Sequence, residues 1–512
     1  MTTLCGPSST MHLGLSFFLY HALCSIVYGA IYESLEELPT LNFDFIVVGG
    51  GTAGNVIANR LTENSDLSVL VLEAGSSTAD VLLSQVPFFF PRIVPGTVWD
   101  WNFTTTEQPG LNGRSVPLPR GFGLGGSSAV NAMFYTRGSS QDYDRYAQIS
   151  GDSGWEWDAL QPYFRKNERF VAAADHHNTT GQFDLAAHGF RGITNVSLPG
   201  YPRATDSRII QATTELPEDF PFNLDYNSGH QLGIGWTPMT VGNGTRSSSQ
   251  TSYLGPAYID RPNLHVLVHA HVTRILRSDN MNISRLPTFN AVEFTQDAGV
   301  TKHTLAPPRL KEIVLSAGSI GTPHILLHSG IGDAGELADL HITPTLHLPD
   351  NGIIRDPIPQ TGNFFSVRPA VMCPLSRGNL TINSTNPLDP PLINPNFLSH
   401  PQDLAIMQYA IASAQKFVSA PVWDGYILGL ATNTTEDDIR NGVASLFHPV
   451  GSASMSPVNA DWGVVDPDLK LKGAKGVRIV DASVLPFLPA AHTQVPVYVF
   501  AERAADLIKG DR

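Results

Sequence analysis

The sequence predicts an α/β fold built on a doubly wound parallel sheet, and three adjoining segments carry that expectation. Phe43-Asp-Phe-Ile-Val-Val48 is apolar and rich in β-branched residues, the pattern of a fully buried strand. Gly49-Gly-Gly51-Thr52-Ala53-Gly54 follows directly, and Asn55-Val-Ile-Ala-Asn-Arg-Leu61 then reads as a helix. Leu67-Ser-Val-Leu-Val-Leu-Glu73 is a second buried strand. Strand, glycine turn, helix and strand make one βαβ unit, the start of a doubly wound sheet.

The glycine spacing has a chemical use. Gly49 permits a tight turn, Gly51 lets a pyrophosphate approach the backbone, and Gly54 lets the helix pack close to the strand. Amides at the helix N-terminus, around Thr52 and Ala53, then face phosphate oxygens. Glu73, ending the second strand, is placed to accept hydrogen bonds from ribose hydroxyls. The unit predicts a dinucleotide and does not by itself separate FAD from NAD.

Later segments complete the sheet. Leu264–Ile275 reads as a strand pair or one extended strand. Lys311–Gly318 is a buried strand ending in a glycine turn, Gly476–Asp481 is another strand, and Val495–Ile508 forms a closing helix. The nucleotide domain is thus assembled from segments far apart in the chain.

Composition narrows the function classes. With 512 residues, 42% of them hydrophobic, the chain can bury a large core. A net charge of −14 without a basic stripe argues against nucleic-acid binding. Cys5, Cys24 and Cys373 show no zinc-type spacing, so no metal site is expected. Residues 1–29 read as a signal peptide: Leu13–Val27 is mostly apolar, Val27 and Gly29 suit cleavage, and the run is short for a membrane span. Its removal leaves Cys373 alone, with no internal disulfide. Asn102, Asn178, Asn195, Asn243, Asn282, Asn379, Asn383 and Asn433 each begin an Asn-x-Ser/Thr triplet. A secreted, N-glycosylated monomer without stable membrane insertion is expected.

Four segments together resemble the glucose-methanol-choline (GMC) oxidoreductase family. They are Val71-Leu-Glu73-Ala-Gly75, Pro119–Asn131, Gly318–Gly332, and a C-terminal block from Phe447-His448-Pro-Val-Gly451 through Asp481–Pro486 to Ala491-His492-Thr493-Gln494. The paired histidines, with Asp175–Gly181 and Val241–Ser249, look most like the fungal aryl-alcohol oxidases of that family. The resemblance implies a Rossmann-like FAD-binding domain with an α+β substrate domain. It divides the chain into an FAD-binding region at 41–345, a short connection at 346–372, and a C-terminal region at 373–508. In this reading Gly125 lets the chain pass close to the flavin, and Ser127, Ser128 and Asn131 donate to pyrophosphate or ring carbonyls, with Ala132 beside them. The main chain of Val272 holds the adenine edge. Asp481 and Ala482 lie along the pyrophosphate and ribityl chain, and Thr493, Gln494 and Val495 flank the isoalloxazine. Val130 stands where relatives with a tethered flavin carry histidine, which implies noncovalent FAD.

The implied chemistry is oxidation of a primary aryl or allylic alcohol to an aldehyde, with dioxygen reduced to hydrogen peroxide. A neutral imidazole suits removal of the hydroxyl proton. The resemblance makes His448 the base and His492 its partner, which orients the hydroxyl. Phe447 is read either as an aromatic substrate contact or as core packing. Three departures stand out. The 346–372 connection is much shorter than the family's, which shortens the substrate domain. Phe122 replaces a usual basic residue, and Ala132 stands where aryl-alcohol oxidases carry tyrosine. A quinone-reducing dehydrogenase, an FAD-containing hydroxynitrile lyase and an inactive shortened variant remain open beside the oxidase.

Overall fold

The computed structural model describes residues 31–278, 286–332, 362–429 and 434–511, with the main chain alone at 352–354. The expected signal peptide lies outside the described residues, as do 346–351, 355–361, Asn282 and Asn433.

A central sheet is built from strands in the order Ile31–Tyr32, Leu264–Leu267, Val69–Leu72, Phe45–Val48, Glu312–Leu315 and Val477–Ile479. All its pairings are parallel. Every residue of Phe45–Val48, Val69–Leu72 and Leu264–Leu267 is buried. That explains why these segments read as continuous apolar runs and not as alternating ones. In register, Val48 pairs with Leu72 and Leu315, and Leu315 pairs with Ile479. The carboxyl ends of these strands therefore share one edge of the sheet.

The helix Gly54–Leu61 is buried along its whole length and packs against the closing helix Gln494–Gly510. A bidentate ion pair joins them: Arg60 donates from Nε and Nη2 to the two carboxylate oxygens of Glu502, each at 2.7 Å. Glu502 is fully buried and also accepts from the Tyr253 hydroxyl at 2.7 Å.

The stretch Leu264–Ile275 resolves into two strands in different sheets. Leu264–Leu267 belongs to the parallel sheet, and His271–Arg277 joins an antiparallel sheet with Phe289–Thr295 and His303–Leu305. The chain turns at His269, whose φ of +56° takes it out of the extended region. Beyond residue 373, Asn379–Thr381 pairs with Leu392–Asn394, and Val443–Ser445 pairs with Gly352–Ile354, both antiparallel. The 17-residue helix Pro401–Phe417 places Met407 and Ile411 in a small core with Leu111, Val116, Phe397 and Val443.

A buried ionic network stiffens the middle of the chain. Arg137 Nη2 donates to Glu168 Oε2 at 2.7 Å. His188 bridges Glu168 at 2.6 Å and Asp225 at 2.8 Å, with its side chain fully buried. Burial works against the charged ring, but the hydrogen bonds to Asp225 and Glu168 outweigh it and raise the His188 pKa to about 9. A pKa raised on folding stabilises the protein fully below the unfolded value near 6.5. That stabilisation, roughly 3 kcal/mol, disappears as pH climbs toward 9. Urea titrations of the parent and of His188→Ala should therefore show a gap of about 3–5 kcal/mol at pH 6 that narrows markedly by pH 9.5. A gap independent of pH would contradict a charged His188.

Candidate active site

The site forms where the aligned strand ends meet. Gly49 turns at φ +98°, and a Cβ there would stand 2.6 Å from Ser316 O. A Cβ on Gly54 would stand 1.9 Å from Gly49 O, so the helix–strand approach demands glycine. Gly51 differs: an added Cβ would meet nothing closer than Gly126 Cα at 3.8 Å. Its surroundings leave the room that an approaching pyrophosphate needs. Thr52 and Ala53 continue from this turn into the buried helix.

Other sequence-predicted residues gather on the same turn. Gly125 N donates to Gly50 O at 2.8 Å, which lays the Gly125–Asn131 segment on the glycine loop. Glu73 accepts from Gly50 N at 2.8 Å and Gly75 N at 2.9 Å. Burial raises its pKa against these hydrogen bonds. Ala270 N donates to Glu73 O at 2.8 Å, bringing buried Val272 to this end of the sheet. Asp481 is clamped by Gly318 N at 2.9 Å, Thr322 Oγ1 at 2.6 Å and Ser483 N at 2.8 Å. This clamp fixes Ala482 beside the Gly318–His328 helix. Ser483 is fully buried, and its side chain also helps hold the Asp481 carboxylate. Ser127 Oγ accepts from Gly121 N at 3.3 Å and is half-buried. Ser128 departs from the expectation. Its hydroxyl proton goes to Gly125 O at 2.6 Å and its oxygen accepts from Ser249 N, so this side chain holds the loop and is not turned to a ligand. Together the open Gly51 and the N-terminus of the helix Gln494–Gly510, flanked by Thr493 and Val495, fit a dinucleotide such as FAD.

The two histidines, 44 positions apart, meet. His448 Nε2 and His492 Nδ1 lie 3.2 Å apart, and the rings stand edge to face with centroids 5.0 Å apart. The tautomer sets which ring donates. Burial strips hydration from the His492 imidazolium and lowers its pKa to about 4, so the ring is neutral at neutral pH. His492 N donates to Thr136 Oγ1 at 2.9 Å, tying it to the segment that leads into buried Arg137. His448 is buried and follows Phe447, which sits at φ +68°. Phe447 is held there by N–H donation to Ser445 Oγ at 2.7 Å and by Arg120, which donates to its carbonyl at 2.5 Å. A bulky residue in the left-handed region is a local strain that aims the next side chain. The Phe447 ring packs against a cluster containing Leu118, Ile320 and Leu380, the core-packing alternative of the two read from sequence.

Sequence reasoning missed Phe134. Its ring stacks on His492 at 4.7 Å with 24° between planes, and it remains 38% exposed, an aromatic face open beside the histidines. Ala132 is small, as the sequence shows, but Met133 at φ +65° turns the chain and brings the aromatic in two positions later. Arg120 and Thr136 were also unassigned; both act through main-chain groups that sequence patterns do not display. A cavity of about 750 Å³ lined by Leu83, Trp99, Trp101 and Phe122 lies apart from the histidines. It is wide open and carries none of the donors above. Among the described residues no group of three or more His, Cys, Asp or Glu side chains is arranged to hold a metal ion.

Family models described as GMC oxidoreductase match residues 43–400 and 374–501. The chain is 37% identical to Dehydrogenase eriK of Hericium erinaceus, covering 95% of this chain and 97% of the relative. That alignment runs over 589 positions against 512 residues here, so the relative carries segments this chain lacks. Pyranose dehydrogenase 3 of Leucoagaricus meleagris is 34% identical over 94% of this chain and 96% of its own length. A fungal aryl-alcohol oxidase structure superposes with a TM-score of 0.76 over 92% of this chain and 99% of that one. At 23% identity that likeness speaks for the fold alone. With matches running from residue 43 to residue 501, the chain belongs to the GMC oxidoreductase family.

Proposed function

We propose that this chain oxidises the CH–OH group of a small alcohol or sugar to a carbonyl, with the His448–His492 pair handling the hydroxyl proton beside noncovalently bound FAD. The observation that carries the reading is the 3.2 Å contact between two imidazoles beside the flavin cradle, with Phe134 stacked on one of them. FAD, when bound, supplies the acceptor for the hydride equivalent from the substrate carbon. The Gly49–Gly54 turn, Glu73, Asn131, Asp481–Ser483 and the start of the helix Gln494–Gly510 hold it. Buried Val130 offers no side chain for a covalent link.

The pair acts as one proton-accepting unit. His448 takes the proton from the hydroxyl, and the neutral His492 ring orients the oxygen and stabilises its developing negative charge. The exposed face of Phe134 suits an aryl or allylic group. For the electron acceptor, the curated relatives favour an organic acceptor such as a quinone, because they carry the names of dehydrogenases. Dioxygen, the acceptor expected from sequence, is the second reading and rests on the histidine pair. Export is supported by the apolar leader and by five exposed sequon asparagines: Asn102, Asn178, Asn243, Asn379 and Asn383.

Three experiments test this reading. His448→Ala should keep its flavin yet nearly lose flavin reduction by benzylic alcohols in anaerobic stopped flow. A rate within about tenfold of the parent, about 1.4 kcal/mol of barrier, would remove His448 as base. Gly51→Val should fold with a near-parental apoprotein melting temperature but purify without flavin. Gly54→Ala should instead lose about 3 kcal/mol of stability from its backbone clash. Retained flavin in Gly51→Val would displace the pyrophosphate from this turn. Side-by-side assays of quinone reduction and peroxide release should show the quinone reduced faster; faster peroxide release would make the chain an oxidase.

A further inference from the structure

Arg246 is a buried cation without a counter-ion. It is 4% exposed, and among the described residues no carboxylate pairs with it. Its guanidinium instead donates to neutral oxygens: Nε to Ser84 O at 2.7 Å, and Nη1 to Asn131 O at 2.8 Å, Asn131 Oδ1 at 2.9 Å and, more weakly, Ser128 O at 3.3 Å. Nη2 is sealed from solvent without a partner. Burial pulls the pKa down only to about 10, so the charge persists at neutral pH. Such a group is costly to keep, and it is held by the neutral oxygens it satisfies.

Its hydrogen bonds have a direction. Asn131 Oδ1 receives two donors that cannot act as acceptors, Arg246 Nη1 and Met133 N at 3.0 Å. The oxygen must face them, and the Asn131 amide nitrogen must face the other way. That nitrogen donates to Gln494 Oε1. Gln494 is oriented in turn, leaving its own nitrogen on the side of Thr240 Oγ1 at 3.5 Å. Gln494 also bonds the buried Tyr498 hydroxyl, so its nitrogen is engaged on that side, whereas the Asn131 nitrogen, with one hydrogen on Gln494, keeps a second N–H.

We propose that Arg246 is a positioning residue that fixes the amide orientation of Asn131, so that its remaining N–H donor turns toward the flavin ring. The proposal rests on the flavin reading given above. Arg246 acts through Asn131, because Nη2 is closed off and its other donors are engaged. A ring that gains electrons gains negative charge, which facing N–H dipoles stabilise and facing carbonyls oppose. With Arg246 gone, Asn131 keeps only Met133 N on its oxygen and is free to turn over.

The test compares flavin-loaded parent, Arg246→Met and Arg246→Lys by flavin content, midpoint potential and sulfite binding, which reports stabilisation of negative charge on the ring. Arg246→Met should hold flavin within about twofold of parental stoichiometry, have a lower midpoint potential, and bind sulfite at least tenfold more weakly. Lysine keeps the charge but loses the Nε bond to Ser84 O, and its shorter arm reaches Asn131 less well, so Arg246→Lys should fall between the two. A Met variant with bound flavin and parental potential and sulfite affinity overturns the proposal. If the Met variant does not fold, an unchanged potential in Arg246→Lys does so. A parent chain that purifies without flavin and cannot be reconstituted overturns the flavin reading itself.

Discussion

Parallel register is the constraint on which the rest of this structure depends. Because Val48, Leu72, Leu315 and Ile479 are paired across neighbouring strands, the loops that follow them leave the sheet at one edge. Ligands of open α/β sheets bind outside such carboxyl ends. The glycine turn, Glu73, the start of the helix Gly318–His328 and the Asp481 clamp are thus neighbours by construction. A one-residue slip in any pairing would shift these loops along the sheet by about 3.3 Å and turn the strand's side chains to the opposite face.

The histidines depend on that edge at second hand. Gly451 N donates to Ala482 O at 3.2 Å and Ala453 N to Ser483 O at 2.8 Å, so the segment after His448 is stitched to the strand end held by Asp481. His492 precedes the closing helix, whose far side is locked to Gly54–Leu61 by Arg60 and Glu502. Thr136 ties His492 to the segment anchored by Arg137, Glu168, His188 and Asp225. Each imidazole is therefore held by a different part of the fold, and the contact between them is a product of global assembly.

Much of this was legible in the sequence. Apolar, β-branched runs identify Phe45–Val48, Val69–Leu72, Glu312–Leu315 and Val477–Ile479 because a sheet buried on both faces needs them. The glycines of the turn announce themselves, since no other residue fits at 49 or 54. The histidine contact was not legible from spacing; only the family resemblance brought the two together. Leu264–Ile275 was ambiguous because the break rests on the backbone angle at His269, which its residue type does not specify. Phe134 and Arg246 escaped for a related reason: a positive φ at Met133 and a set of main-chain acceptors are tertiary facts. Ser128 read as a ligand contact because its type allows it, while the structure spends its hydroxyl on Gly125 and Ser249.

The claim that matters most is that two remote imidazoles work as one device. A double-mutant cycle on His448→Ala, His492→Ala and the combined variant, read as the single-turnover rate of flavin bleaching by alcohol, measures it directly. Groups acting as a unit give a combined loss scarcely larger than the worse single loss, within about tenfold. Losses that multiply across the two positions would mean independent side chains, and the shared proton site would have to be abandoned.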